Sequence, residues 1–253
     1  METQPSLIVD EQAISLRQAL KYLQAAGKLG PVIGDILRQH VLEQELKARA
    51  DLAPSDTSLE QAVIDFRLEQ DLNEPDRFQA WLTDNGLEEA EFRQQIAFDL
   101  QLDQLKVQVT ADLLPEYFVA RQLFLDQVVL SRIIVNNREL AEELRRQLEA
   151  GARFEQLALD HSLSDDAVTN GMMGPVSRGA LPDEFRALVD AAEPGTILGP
   201  IELEGDWGLF RVERFLPASL ADPQLQQALE NELFEQWLAE KLQNLAVKFQ
   251  IDE

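Results

Sequence analysis

The chain has 253 residues, enough for one or two domains with buried cores, and its hydrophobic content of 45% is ordinary for a globular protein. Its formal net charge of -24 is unusual, because a field of that sign repels phosphate backbones and anionic lipid. We therefore expect no nucleic-acid partner and an attraction for basic client segments. Solubility alone also explains the charge.

No cysteine is present, which excludes disulfides, thiol catalysis and cysteine-ligated zinc. No stretch reaches the ~20 apolar residues of a membrane-spanning helix, so we expect no membrane insertion. The N-terminal segment lacks a basic region, and its apolar run at 7–9 is too short for a secretion signal. These features predict a cytoplasmic location.

Residues 11–126 are predicted to be helical almost throughout. The spacing of apolar residues and helix breakers predicts six helices, over 11–26, 31–50, from 57 or 58 onward, 75–86, 88–109 and 115–126. Thr57 or Ser58 is expected to cap the third helix, because Thr57-Ser58-Leu59-Glu60 fits the capping-box pattern. Pro75 suits the first turn of the fourth.

The pattern changes at Gln127, where a short β-branched run begins. It predicts a strand over 128–135, helices over 137–150, 154–161 and 182–191, a short strand near 175–176 and two closing strands that end by 216. Three glycines close together, Gly171, Gly174 and Gly179, mark the loops before the third of these helices.

Residues 222–250 are predicted to form a long helix with a sustained apolar stripe. Such a stripe needs a partner, and we predict that 217–253 pack back on the helical domain 1–126, with 127–216 inserted between them. A dimerisation helix is the alternative. The predicted fold class is α+β: an all-α N-terminal domain joined by the C-terminal helix, with an inserted domain in which helices surround a small mixed sheet.

The stretch 128–216 carries the most specific motif of the chain. It is similar in order and spacing to the parvulin-type (PpiC-like) peptidyl-prolyl isomerase domain, whose glycine-rich turn follows G-G-x-L-G-x-x-x-R-G-x-M-x-x-x-F. Five residues match that pattern directly: Gly171, Gly174, Arg178, Gly179 and Phe185. The order of helices, inserted domain and long C-terminal helix also resembles bacterial secretion chaperones that carry such a domain.

The resemblance implies an apolar pocket for the proline ring of a substrate. Phe185 is expected to form its floor, Met173 and Leu181 its walls, and Trp207 an extension of the wall. Phe and Leu four residues apart on a helix are also a common core pattern, but the surrounding motif favours the pocket.

The polar side of this site departs from the family pattern. Arg132 and Gly208 stand where the family usually has two facing histidines, and Ser164 stands where it often has cysteine or aspartate. The resemblance therefore makes Arg132 and Ser164 the candidate catalytic residues. Arg132 could hydrogen-bond a substrate carbonyl, or it could pair with Asp165 or Asp166.

Isomerisation of an Xaa-Pro bond needs no nucleophile, and we expect neither a cofactor nor a metal. The barrier of roughly 18–20 kcal/mol comes from lost amide resonance, so a catalyst must bind the twisted amide better than the planar one. His40 and His161 lie on predicted helices at positions that do not match the family's histidines. The turn at 136–138 is short and poor in cations, which disfavours selection of a phosphorylated substrate.

Two functions follow from the resemblance. The first is an isomerase and chaperone, of full or lowered activity, that acts on proline-containing segments of unfolded or secretory client proteins. The second is a catalytically inactive peptide-binding chaperone or secretion adaptor. In both cases the expected partners are proline-containing peptide segments and a component of a secretion pathway, and we expect a monomer rather than a dimer.

Overall fold

The computed structural model describes residues 7–10 and 12–248. Its elements begin with β1 (Leu7–Val9), β2 (Gln12–Ile14), α1 (Leu16–Ala25), α2 (Leu29–Lys47), α3 (Asp56–Glu69), α4 (Pro75–Asp84), α5 (Glu89–Thr110) and α6 (Leu114–Leu125). They continue with β3 (Gln127–Val135), α7 (Arg138–Glu149), α8 (Phe154–His161), β4 (Met172–Ser177), α9 (Asp183–Asp190), β5 (Ile197–Leu203), β6 (Asp206–Leu216) and α10 (Pro223–Gln243).

The chain divides into two compact units. The helical unit consists of the chain up to Leu114 together with the stretch from Glu230, and the sheet unit is Pro115–Leu229. The division therefore lies at the start of α6 and within α10. The sequence analysis set the domain limits at 126/127 and 216/217, and those limits stay a prediction.

The helical unit buries two apolar clusters. The first contains Val41, Leu42, Leu46, Leu52, Leu105, Phe234 and Leu238, and the second contains Val63, Leu72, Phe78, Leu82 and Phe92. Within the first cluster, the apolar stripe of α10 packs against side chains of α2 and α5. Two ion pairs join α10 to α2, one between Arg38 and Glu235 at 2.6 Å and one between Lys241 and Glu45 at 2.6 Å.

Three local predictions for the helices are wrong. The first helix does not begin at 11, because Gln12–Ile14 pairs with Leu7–Val9 as an antiparallel hairpin and Ser15 caps the helix that follows. The cap of α3 is Ser55 rather than Thr57 or Ser58, since Ser55 Oγ accepts the backbone N–H of Ser58 at 3.1 Å. The C-terminal helix ends at Gln243, and residues 249 and 250 of its predicted span lie outside the described residues.

The sheet unit contains a four-stranded sheet in the order β4-β3-β6-β5. This arrangement confirms the α+β class. All three strand pairs are antiparallel, so the sheet is not the mixed sheet that we expected. Antiparallel pairing is reached here because β5 and β6 form a hairpin, while the connection from β3 through α7 and α8 returns in the opposite direction as β4.

Apolar side chains cover both faces of this sheet. On one face the α7–α8 cluster contains Ile133, Val135, Ala141, Leu144, Phe154, Leu157, Ala158 and Leu209. On the other face the α9 cluster contains the buried residues Val128, Leu130, Val189 and Val212, with partly buried side chains packed against them. The candidate site lies on the α9 face.

Candidate functional site

Strand β3 directs Arg132 to the α9 face of the sheet. Successive side chains of a strand point to opposite faces. Leu130 belongs to the α9 cluster and Ile133 to the α7–α8 cluster, which places Arg132 on the same face as Leu130. Its cross-strand partner on β6 is Phe210. The first candidate catalytic residue therefore lies beside an aromatic ring on the face that α9 covers.

Three of the four predicted pocket residues lie together on this face. Met173, Leu181 and Phe185 are all partly buried against the α9 cluster. The ring of Phe185 also packs on Phe210, with the two centroids 4.6 Å apart and the planes tilted by 50°. An apolar surface with an aromatic floor is thus present where the sequence predicted it.

Trp207 does not join these residues. It packs against the α7–α8 cluster on the opposite face of the sheet, and the guanidinium carbon of Arg138 lies 5.3 Å from its ring centroid. The reason is the strand alternation of β6, which places Trp207 and Leu209 on one face and Phe210 on the other. The structure therefore does not bring Trp207 to the apolar surface formed with Phe185.

The two candidate catalytic residues share one carboxylate. Arg132 Nε donates to Asp166 Oδ2 at 2.8 Å, and Ser164 Oγ lies 2.5 Å from Asp166 Oδ1. Ser164 Oγ is also 2.8 Å from Ser162 Oγ, which accepts the backbone N–H of Ile134 at 3.0 Å. Asp166 is one of the two partners that the sequence proposed for Arg132.

The carboxylate fixes the direction of this chain of hydrogen bonds. An ionised carboxylate only accepts, so Ser164 must donate its hydroxyl hydrogen to Asp166. Ser162 must then donate to Ser164, because each hydroxyl has one hydrogen. Ser164 consequently has no hydrogen left for a substrate, which makes Arg132 the better candidate donor of the two.

Arg132 uses only one of its three nitrogens in this network. Among the described residues, 7–10 and 12–248, neither terminal nitrogen of Arg132 has a hydrogen-bond partner, and a third of its side chain is exposed. Asp166 forms the ion pair with Arg132 through Nε, and the two terminal NH₂ groups of Arg132 stay available to a substrate. Pairing with Asp166 and donation to a substrate are therefore compatible, although the sequence analysis treated them as alternatives.

Gly171 connects the backbones of Arg132 and Asp166 through hydrogen bonds. Its carbonyl accepts the N–H of Arg132 at 2.7 Å, and its own N–H donates to the carbonyl of Asp166 at 2.8 Å. Its φ of +75° is a conformation that favours glycine, and an added Cβ would lie 2.3 Å from the carbonyl oxygen of Arg132. The first matched glycine of the motif is thus required by this close approach.

The space at Gly208, where the family pattern has its second histidine, is filled by a side chain two residues further along β6. A Cβ on Gly208 would lie 2.7 Å from Cε2 of Phe210 and 2.9 Å from Cδ1 of Leu203. The Phe210 ring therefore occupies the space above Gly208. Sequence reasoning missed Phe210, and the available signal was a glycine within a strand, which often marks close approach of another group.

Arg178 anchors the loop that leads to Leu181 and Phe185. It makes ion pairs of 2.9 Å with both Asp126 and Asp190, and Asp126 also accepts the backbone N–H of Ala218 at 2.9 Å. The hydrogen bond to Asp190, partly offset by burial, raises the pKa of Arg178 above its ordinary value. The matched arginine of the motif therefore fixes the start of this loop through two ion pairs.

Neither histidine belongs to this site. His40 lies exposed on α2, and His161 lies exposed at the end of α8. In the part of the chain that the structure describes, no group of three or more His, Asp or Glu side chains is placed to hold a metal ion.

Residues 132–214 match the model of the Rotamase family, described as the PPIC-type PPIASE domain. This sheet unit carries a parvulin-type domain. The match covers the strand with Arg132, the loop with Ser164 and Asp166, and the strand with Gly208 and Phe210.

The relatives that this chain resembles are named as chaperones and foldases. Chaperone SurA of Pseudomonas aeruginosa is 25% identical over 208 residues, which cover 70% of this chain and 50% of the relative. Foldase protein PrsA 2 of Bacillus anthracis is 28% identical over 142 residues, covering 54% of this chain and 47% of the relative. The chain thus spans about half the length of these relatives.

A solved structure of the peptidylprolyl isomerase PrsA from Bacillus cereus aligns with 99% of this chain and 95% of that chain, at 16% identity and a TM-score of 0.48. Within the described residues, no helix is both long and apolar enough to cross a membrane.

Proposed function

We propose that the protein is a peptidyl-prolyl cis-trans isomerase and chaperone that acts on Xaa-Pro bonds of unfolded or secretory client proteins. The observation that carries this proposal is one face of the parvulin domain, where Met173, Leu181 and Phe185 lie together and Arg132 occupies the same face. An apolar pocket for proline beside a charged hydrogen-bond donor is the minimum that this reaction needs.

The chemistry of the amide decides where the donor must act. Rotation about the C–N bond breaks resonance and leaves a lone pair on the prolyl nitrogen. A donor to that nitrogen stabilises the twisted amide, whereas a donor to the carbonyl oxygen of the same amide stabilises the planar one. Only the first lowers the barrier. We therefore assign a terminal N–H of Arg132 to the prolyl nitrogen, with a flanking substrate carbonyl as the other partner.

The surroundings of the site suit an extended apolar chain. Leu163, Val168 and Met172 are mostly exposed and lie on the same segment as Ser164 and Asp166. These three side chains would contact residues on either side of the proline, and the acidic character of the protein favours clients that carry basic residues. We also propose that the protein works as a monomer in the cytoplasm, where it contacts a secretion component.

A peptide-binding chaperone without isomerase activity is the second candidate. It is favoured by the ring of Phe210 above Gly208, which removes the second polar group from this face. In that case the pocket would hold proline without twisting the amide, and Arg132 would serve only to bind a carbonyl.

Exchange spectroscopy by NMR on a panel of Xaa-Pro tetrapeptides separates the two candidates. We expect cis-trans exchange to accelerate with catalytic amounts of the protein and to lose that acceleration with Phe185→Ala. Leu188→Ala is the matched control, because Leu188 lies half-exposed on the same helix. Line broadening without acceleration would identify the inactive peptide binder, and unchanged peptide affinity of Phe185→Ala would place the pocket elsewhere.

A further inference from the structure

Asp166 is the side chain that bonds both candidate catalytic residues, although it precedes the glycine-rich motif. Its two oxygens accept from Arg132 Nε at 2.8 Å and from Ser164 Oγ at 2.5 Å, and only 16% of its side chain is exposed. One carboxylate therefore determines the position of both candidate catalytic residues.

We infer that Asp166 is the positioning residue of the isomerase site: it holds Arg132 through Nε so that the two terminal nitrogens face the substrate amide. This inference rests on the proposed function. An arginine side chain has several rotatable bonds and loses much conformational freedom when it is fixed. A carboxylate bond to Nε leaves both terminal NH₂ groups unused, whereas a bidentate pair through Nη would consume at least one of them.

The backbone gives this pair a fixed separation. The carbonyl of Gly171 accepts the N–H of Arg132 and the N–H of Gly171 donates to the carbonyl of Asp166, so both residues are tied to the backbone of one residue. Arg132 is further fixed by its strand pairing with Phe210. The carboxylate is thus held in place before a substrate arrives, which is what preorganisation of a charged donor requires.

An amide at this position replaces the carboxylate only in part. Asparagine has one acceptor oxygen, and its NH₂ group only donates. If that oxygen accepts from Arg132, the NH₂ group must donate to Ser164 Oγ, whose hydrogen then turns from residue 166 to Ser162. The bond to Arg132 also loses its charge assistance. We expect Asp166→Asn to release Arg132 without leaving a cavity.

A double-mutant cycle tests the inference. Asp166→Asn is expected to lower the cis-trans exchange rate at saturating tetrapeptide about tenfold, while the peptide Kd changes less. In an Arg132→Met background the same substitution should have no further effect, because Asp166 acts through Arg132. The control is Asp165→Asn, which removes the same charge from an exposed neighbour and should leave the rate unchanged. Additive losses in the cycle would overturn the inference.

The NMR signal of the Arg132 Nε–H gives a second readout that does not depend on activity. It should be slow to exchange with water in the parent protein and in Asp165→Asn, and fast in Asp166→Asn. If the parent protein shows no isomerase activity, the proposed function fails while this signal still tests the positioning. An Nε–H that stays equally protected in Asp166→Asn contradicts the positioning role, whatever the activity.

Discussion

Two glycines of the motif offer a direct test of how the site is built. Gly171 and Gly174 both have positive φ, at +75° and +81°. They differ in their surroundings, because a Cβ on Gly174 meets nothing within 4 Å, whereas a Cβ on Gly171 would lie 2.3 Å from the carbonyl oxygen of Arg132. Replacing each by alanine therefore separates backbone strain from close contact.

The expected magnitudes follow from these two contributions. A left-handed conformation costs a non-glycine residue about 1–2 kcal/mol, so Gly174→Ala should lower the free energy of unfolding of the sheet unit by about that amount. Gly171→Ala adds an overpacking cost of about 1–3 kcal/mol, because the opposing atom is backbone and cannot rotate away. We expect a total loss of about 2–5 kcal/mol, together with displacement of Arg132 and loss of isomerase activity.

The assay must report on the sheet unit alone. The chain has two compact units, and a signal from the whole chain would combine their transitions. Urea unfolding is therefore followed through NMR signals of residues in β3 and β6. If Gly171→Ala and Gly174→Ala lower stability equally, the close approach to Arg132 has no energetic weight, and the argument for this backbone tie is wrong.

Three further predictions concern other groups. Arg132→His is expected to lower the exchange rate about tenfold near neutral pH, because a neutral imidazole lacks the charged donor; a rise would show that Arg132 blocks the site. Gly208→Ala should destabilise the sheet unit by about 1–3 kcal/mol and be relieved by Phe210→Val, whereas additive effects in a urea series would refute the contact. A hydrogen bond from Arg38, partly offset by burial, lowers the pKa of Glu235, so this pair stabilises the helical unit above the unfolded-state pKa of about 4.3. That contribution should disappear as the pH falls through the lowered folded-state pKa. Thermal unfolding should therefore show Glu235→Gln below the parent at pH 7 and equal to it in acid.

Local sequence patterns predicted most of the helices and strands of this chain, and the wrong predictions have physical causes. The short hairpin at the start of the described chain depends on cross-strand pairing, which the apolar periodicity of 11–26 does not reveal. Ser55 precedes the expected cap because cap identity depends on an extended backbone one residue before the helix. The apolar stripe of the C-terminal helix, by contrast, was strong enough to predict a buried face.

The motif predicted which apolar residues lie on one face of the sheet, but it did not predict the placement of side chains that depends on strand geometry. Met173, Leu181 and Phe185 lie together as the motif implied. Trp207 was placed in the pocket because it is aromatic and adjacent to Gly208, but strand alternation turns it to the other face. The side chain that fills the space above Gly208 is two residues further along the strand.

The loss of the two family histidines thus has a different meaning at each position. At Gly208 the ring of Phe210 occupies the space, so β6 contributes an apolar surface and no hydrogen-bond donor at this position. At Arg132 the donor has changed in kind, because a permanently charged guanidinium is held by Asp166 with two nitrogens unused. Since twisting an amide requires stabilisation of one nitrogen lone pair, a single well-placed donor is enough in principle. We therefore propose that activity in this domain depends on whether Asp166 holds that one donor in place, and much less on how many imidazoles were lost.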